Sequence, residues 1–237
     1  MNDPTRARLL AALAAAALTL APLTLLAAEP AKPLTAAPSP PSLKLDARRT
    51  ALLVMDYQND IVDLLPAEER GPLLDRASSL VAGARQAGLP VIYVVVRFRD
   101  GYPEVSAQNP RFAFLKQAGL LREGTPGAEI HARVAPRPGD VVVTKRRVGA
   151  FSTTDLETVL RARNVGTLVL AGIATSGVVL STVRWAADLD YQLVVVADAC
   201  ADRDPEVHRI LTQKVLAAQA TVVSAAEALK AIGESTR

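Results

Sequence analysis

Six short apolar runs recur along the chain, at 51–55, 91–96, 141–144, 168–171, 193–197 and 221–223, without the polar alternation of a half-exposed strand. Val and Leu dominate most of them, the composition of strands covered on both faces. Segments with helical spacing of apolar residues separate most of the runs, at 73–86, 154–163, 179–189 and 205–218. Strands alternating with amphipathic helices predict a doubly wound α/β domain: a six-stranded parallel sheet between helical layers, three layers in all.

Ligands of such sheets bind beyond the carboxyl ends of the strands. Three stretches close a strand there with groups able to do chemistry: ALLVMDYQND (51–60) with Asp56, VVVTKRRVGAF (141–151) with Lys145, and TLVLAGIATSGVVLST (167–182) with the turn after Gly172. Their order predicts one shared site. In the last stretch Gly172 and Gly177 are expected to free the backbone, and Thr175 or Ser176 to cap the next helix, whose first N–H groups would face an anion or a developing oxyanion. The connection 97–140 breaks the alternation, being rich in Gly and Pro with only a short helical piece near 111–118. A loop of that length over the active edge is expected to shape a pocket or a subunit contact.

Together the three stretches resemble the isochorismatase-like hydrolases, also called cysteine hydrolases, over about residues 51–226. The family's turn reads Gly-x-x-Thr-x-x-Cys; Gly172 and Thr175 match, and the cysteine position is Val178. The resemblance implies Asp56 and Lys145 as the catalytic pair, with Gln58, Phe151, Ala174, Thr175 and Gly177 as substrate-binding positions. It also implies an oxyanion hole from the N–H groups of Ala174 and Val178, with a cis peptide between Ile173 and Ala174. In cysteine members a thiol attacks a carbonyl, but Val178 has no lone pair and forms no acyl intermediate. Isochorismatases proper lack the cysteine, keep the aspartate and cleave an enol ether, which needs an acid and a water rather than a thiol. Val178 is bulkier than the glycine common in those enzymes. The implied function is hydrolysis of a small metabolite by Asp56 and Lys145 without a cysteine nucleophile; the alternative is a catalytically silent binding or assembly protein that keeps the pocket. The family's habit of forming dimers or larger assemblies implies a homo-oligomer.

Cys200 is the only cysteine, which excludes an internal disulfide. It is read as a small packing residue, two positions past Asp198, which is expected to close its strand and hold the turn 202–204. Metal-dependent amidases of the superfamily carry Asp-x-His after the second strand. The corresponding place here reads Arg97, Phe98, Arg99, Asp100, and the two histidines, His131 and His208, are isolated, so no metal is expected. Neither a phosphate loop nor a dinucleotide fingerprint is present, so no cofactor is expected. Arg146 and Arg147, with Arg97 and Arg99, could set positive charge at the pocket mouth and suit an anionic substrate; solvated surface arginines are the alternative. The net charge of +3 is spread without a basic stripe, which argues against a nucleic-acid partner.

Residues 1–28 have the form of an export signal: Arg6 and Arg8, an apolar run 9–26, then Ala27 and Ala28. Cleavage after Ala28 would leave a periplasmic protein without stable membrane contact. The alternative is an N-terminal membrane anchor, since 9–28 is long enough to span. Residues 29–45 read as a linker, with five prolines in 29–42. Residues 46–237 remain for one domain with a full core.

Overall fold

Runs of Val, Leu and Ile without polar interruption become interior strands, and a computed structural model describes them within residues 43–235. The strands are β1 (Thr50–Met55), β2 (Val91–Val96), β3 (Val141–Lys145), β4 (Thr167–Ile173), β5 (Gln192–Ala201) and β6 (Thr221–Val223). They form one parallel sheet in the order β3-β2-β1-β4-β5-β6. The helices are α1 (Asn59–Val62), α2 (Ala67–Ala87), α3 (Pro110–Gln117), α4 (Leu156–Ala162), α5 (Leu180–Asp188), α6 (Pro205–Ile210) and α7 (Ala225–Gly233). This is the expected doubly wound α/β arrangement.

The two-residue pleat of each strand sorts its side chains into two cores. Leu52 and Val54 of β1 join Leu74, Leu80 and Val81 of α2 and Ala228 and Ile232 of α7 on one face. Leu53 and Met55 join Leu156 and Leu160 of α4 and Val183 of α5 on the other. Truncating a side chain such as Leu52, fully buried, is worth about 2–5 kcal/mol. At the α2–α7 contact a Cβ on Gly83 would stand 2.6 Å from Leu229 Cδ2, so the Leu229 side chain would have to turn away. A third, smaller cluster of Phe98, Tyr102, Phe112 and Leu121 lies in the long connection, after the C-terminal end of β2.

Four features depart from the sequence expectation. β5 does not stop at 197: two steps along β4 from Leu170 to Gly172 span five along β5 from Val195 to Cys200, and the strand resumes to Ala201. Asp198 therefore sits inside β5 and does not hold the turn 202–204; its Oδ1 accepts the Ala225 N–H and so fastens the start of α7. Helix 205–218 begins as α6 and then changes to a π turn, Leu211–Val215, and a 3-10 turn, Leu216–Ala218. Finally, Leu43 packs against the first core and Leu45 is buried in it, so the packed domain begins inside the expected linker 29–45. The expected export segment 1–28 lies outside the described residues. Among those residues no helix is long and apolar enough to cross a membrane.

Candidate active site

β1 delivers Asp56 at its C-terminal end, with φ of 59° and its N–H bonded to Val94 O at 2.8 Å. This left-handed backbone, tolerated by Asp better than by most residues, costs of order 1 kcal/mol and turns the chain sharply off the strand. β3, two strands away in the sheet, ends on Lys145, whose Nζ lies 2.8 Å from Asp56 Oδ2 and 3.1 Å from Arg147 O. Both side chains are almost sealed, at 5% exposure for Asp56 and 1% for Lys145. The second carboxylate oxygen, Oδ1, is buried without a hydrogen-bond partner. The Val96 N–H nearby is committed to Gln58 Oε1 at 2.8 Å. Burial pushes the Asp56 carboxyl above its ordinary pKa, and the Lys145 charge opposes this without cancelling it. Burial likewise lowers the Lys145 ammonium, against the pull of Asp56.

β4 leads through a cis peptide between Ile173 and Ala174 into a π turn, Thr175–Val179, that precedes α5. Gly172 serves here in tight space rather than for backbone freedom: a Cβ would meet Val179 Cγ2 at 3.1 Å and Met55 Cβ and O at 3.2 Å, so these neighbours would have to give by a few tenths of an ångström. Neither Gly172 nor Gly177 adopts a positive φ. No side chain caps this turn, contrary to the expectation for Thr175 and Ser176. Thr175 Oγ1 instead bonds His208 Nδ1 at 2.8 Å, and the Ser176 N–H donates to Asp202 Oδ2 at 2.7 Å. The turn is thus tied from behind to the segment between β5 and α6.

Asp56, Lys145, Ala174 and Val178 line one cavity of about 80 Å³. One water needs roughly 10–15 Å³ on the same measure, so the space has room for a small molecule. The long connection supplies much of the remaining wall through Arg111, Phe112, Leu115, Leu120 and Leu121, in keeping with its expected pocket-shaping part. Arg147 and Arg203 also line it, as does Asp60, whose Oδ2 accepts the Leu121 N–H at 2.8 Å. Among the described residues no cluster of three or more potential metal ligands occurs.

The isochorismatase domain matches residues 50–227 of this chain. The chain belongs to the isochorismatase family. It is 36% identical to an uncharacterized isochorismatase family protein, YwoC, of Bacillus subtilis, covering 70% of this chain and 85% of that one. Identity to the ureidoacrylate amidohydrolase RutB of Pseudomonas syringae pv. syringae is 32%, over 75% of this chain and 80% of the relative. Among solved structures, the fold is similar to a cysteine hydrolase from Pseudomonas syringae pv. phaseolicola, with a TM-score of 0.73 and 26% identity over 80% of this chain and 95% of that one. It is also similar to N-carbamoylsarcosine amidase from Thermoplasma acidophilum, with a TM-score of 0.62 and 29% identity over 75% and 96%. The protein is an isochorismatase-family hydrolase.

Within this isochorismatase-family fold, several expected site residues stand away from the cavity. Gln58 is fully buried, its Nε2 donating to Val96 O and Ala128 O and its Oε1 accepting from Val96, so its amide clamps β2 to the long connection and has nothing left for a substrate. Phe151 packs in the second core, 6.2 Å from the Tyr191 ring. Thr175 is fully buried on His208, and Gly177 lies beside the cavity wall without forming part of it. Of the four arginines expected at the mouth, Arg97, Arg99 and Arg146 are each paired with a glutamate, and Arg147 alone lines the cavity. Cys200 is buried in the second core and outside this cavity, its thiol pushed up to about 12 by burial. Arg111, Arg203 and Asp60 escaped the sequence reading. Arg111 did leave a signal: it stands in the first turn of α3, where the helix dipole disfavours a cation by about 0.3–1 kcal/mol.

Proposed function

We propose that this hydrolase acts on a small anionic metabolite, with Asp56 as the acid/base group and Lys145 as its electrostatic partner, and without a thiol nucleophile. The observation that carries the reading is Asp56 Oδ1, a buried carboxylate oxygen without a partner on a residue that lines the cavity. An unpaired buried oxygen costs about 1–3 kcal/mol in a resting fold, and a substrate contact or a shared proton would relieve that cost. With Oδ2 engaged by Lys145, the proton of the neutral acid sits on Oδ1. For an enol ether, Asp56 gives that proton to the terminal carbon of the double bond, and water adds to the resulting oxygen-stabilised cation. The water's surplus proton returns to Asp56, and the hemiketal breaks into a carbonyl compound and an alcohol. Lys145 steadies the carboxylate while it is charged.

The amide hydrolysis named for two of the relatives is disfavoured as a covalent route, because Val178 occupies the nucleophile position and Cys200 lies outside the cavity with a strongly raised pKa. The test is an unbiased metabolite screen by mass spectrometry, comparing the native protein with Asp56→Asn. Turnover of a small acid that falls at least a hundredfold in Asp56→Asn is expected. Ligand binding without turnover in either form would show a silent binding protein.

A further inference from the structure

The cavity has an imbalance of charge that the acid/base pair does not resolve. With Asp56 protonated and Lys145 charged, the pair carries one positive charge, and it carries none once Asp56 has given up its proton, so it never supplies net negative charge. The remaining ionised groups in the wall are the guanidinium groups of Arg111, Arg147 and Arg203 against the single carboxylate of Asp60. Elsewhere around the mouth arginines are matched: Arg97 holds Glu129, Arg99 holds Glu104, and Arg146 holds Glu104 and Glu123. Among the described residues none of the three cavity arginines has a carboxylate partner. Arg147 Nη1 is spent on the carbonyls of Arg146 and Glu104.

Arg111 is the informative one. It projects from the first turn of α3, a helix that the long connection contributes and that Asn109 and Pro110 start. Its Nη2 reaches the catalytic turn: a Cβ on Gly177 would stand 3.6 Å from it. Its charge is felt by Asp56 and by Lys145. A cation held against its own helix dipole, near the buried Lys145 ammonium and without a carboxylate partner, lowers its energy when an anion enters. Phe112, Leu115 and Leu120 in the same wall favour an anion of low charge density carried on an apolar frame, and the planar guanidinium fork matches a carboxylate.

Resting on the hydrolase reading above, we infer that Arg111 is the specificity-determining residue of this site and that it binds a carboxylate of the substrate over the turn Thr175–Val179. The carboxylate is the handle and the hydrolysed bond lies deeper, at Asp56. Binding through Arg111 orients the substrate so that Oδ1 meets the reacting atom.

The experiment is calorimetric titration of the native protein, Arg111→Gln, Arg111→Lys and Asp56→Asn with acetate, malonate, succinate and benzoate, each against its neutral amide, and with inorganic phosphate. At least one carboxylate should bind tenfold or more tightly than its amide. That preference should vanish in Arg111→Gln, survive partly in Arg111→Lys, and persist in Asp56→Asn. Arg111 is exposed, so its variants should melt with the native protein, and a matching melt confirms this. No carboxylate preferred over its amide, a preference that survives Arg111→Gln, or phosphate alone showing the Arg111 dependence would each overturn the inference. Carboxylate binding through Arg111 with no turnover in any screen would sink the hydrolase reading while leaving this one standing.

Discussion

Asp56 and Lys145 are both nearly sealed from water, and burial acts on each in the sense that favours its uncharged form. A carboxyl whose pKa is raised keeps its proton below that pKa and loses it above. If Asp56 donates a proton, turnover falls as pH rises through the raised value. Lys145→Met keeps most of the side-chain volume and removes the charge that favours the carboxylate, so the descending limb should move to higher pH by about one unit or more. The check is a pH–rate profile of both forms on the substrate that the screen identifies, with a thermal melt of each. A limb that stays in place in a folded Lys145→Met protein would refute the coupling. This pair was legible in the sequence because each member ends an apolar strand on the same edge of the sheet. Gln58, by contrast, was placed at the site by the family resemblance alone, whereas its amide is engaged by backbone groups of Val96 and Ala128. Arg111 was missed because no periodicity specifies the path by which the long connection carries α3 over the site.

The turn Thr175–Val179 is an element whose shape is set by residues distant in sequence. Asp202 accepts the Ser176 N–H at 2.7 Å and the Arg203 N–H at 2.9 Å, and His208 meets Thr175 Oγ1. Asp202→Ala would leave both N–H groups without their ionic acceptor, a loss of about 1.5–3 kcal/mol. For a domain of this size, at about 2–4 °C per kcal/mol, that corresponds to a fall in Tm of roughly 3–12 °C, measurable by circular dichroism. An unchanged Tm would mean that Asp202 does not hold the turn. These ties could not be read from the chain, since they bridge separations of 26 and 33 residues. The six strands could be, because an uninterrupted apolar run has few other fates in an α/β domain. α7 was missed although Ser224 and Glu227 form a capping box in front of it and its buried residues Ala225, Ala228, Ala231 and Ile232 keep helical spacing. The extension of β5 was missed because Asp198 resembles a strand terminator, whereas its carboxylate is used to hold the start of α7.

On the scale of the molecule, the described domain rests on packing and hydrogen bonds, with Cys200 as its free and buried cysteine. A thiol raised to about 12 has only about one part in 10⁵ as thiolate at neutral pH, so it is a poor target for oxidation. With no second cysteine in the chain the fold contains no internal disulfide, which is compatible with either a reducing or an oxidising compartment. Export is what the basic start, the apolar run 9–26 and the small residues before Glu29 predict. The measurement is the intact mass of the protein recovered separately from periplasmic and membrane fractions of the expressing cell. A soluble periplasmic form whose mass begins near Glu29 is the expected result. Full-length protein beginning at Met1 and confined to the membrane fraction would show instead that the apolar run is an anchor, and would hold the hydrolase domain at the membrane surface.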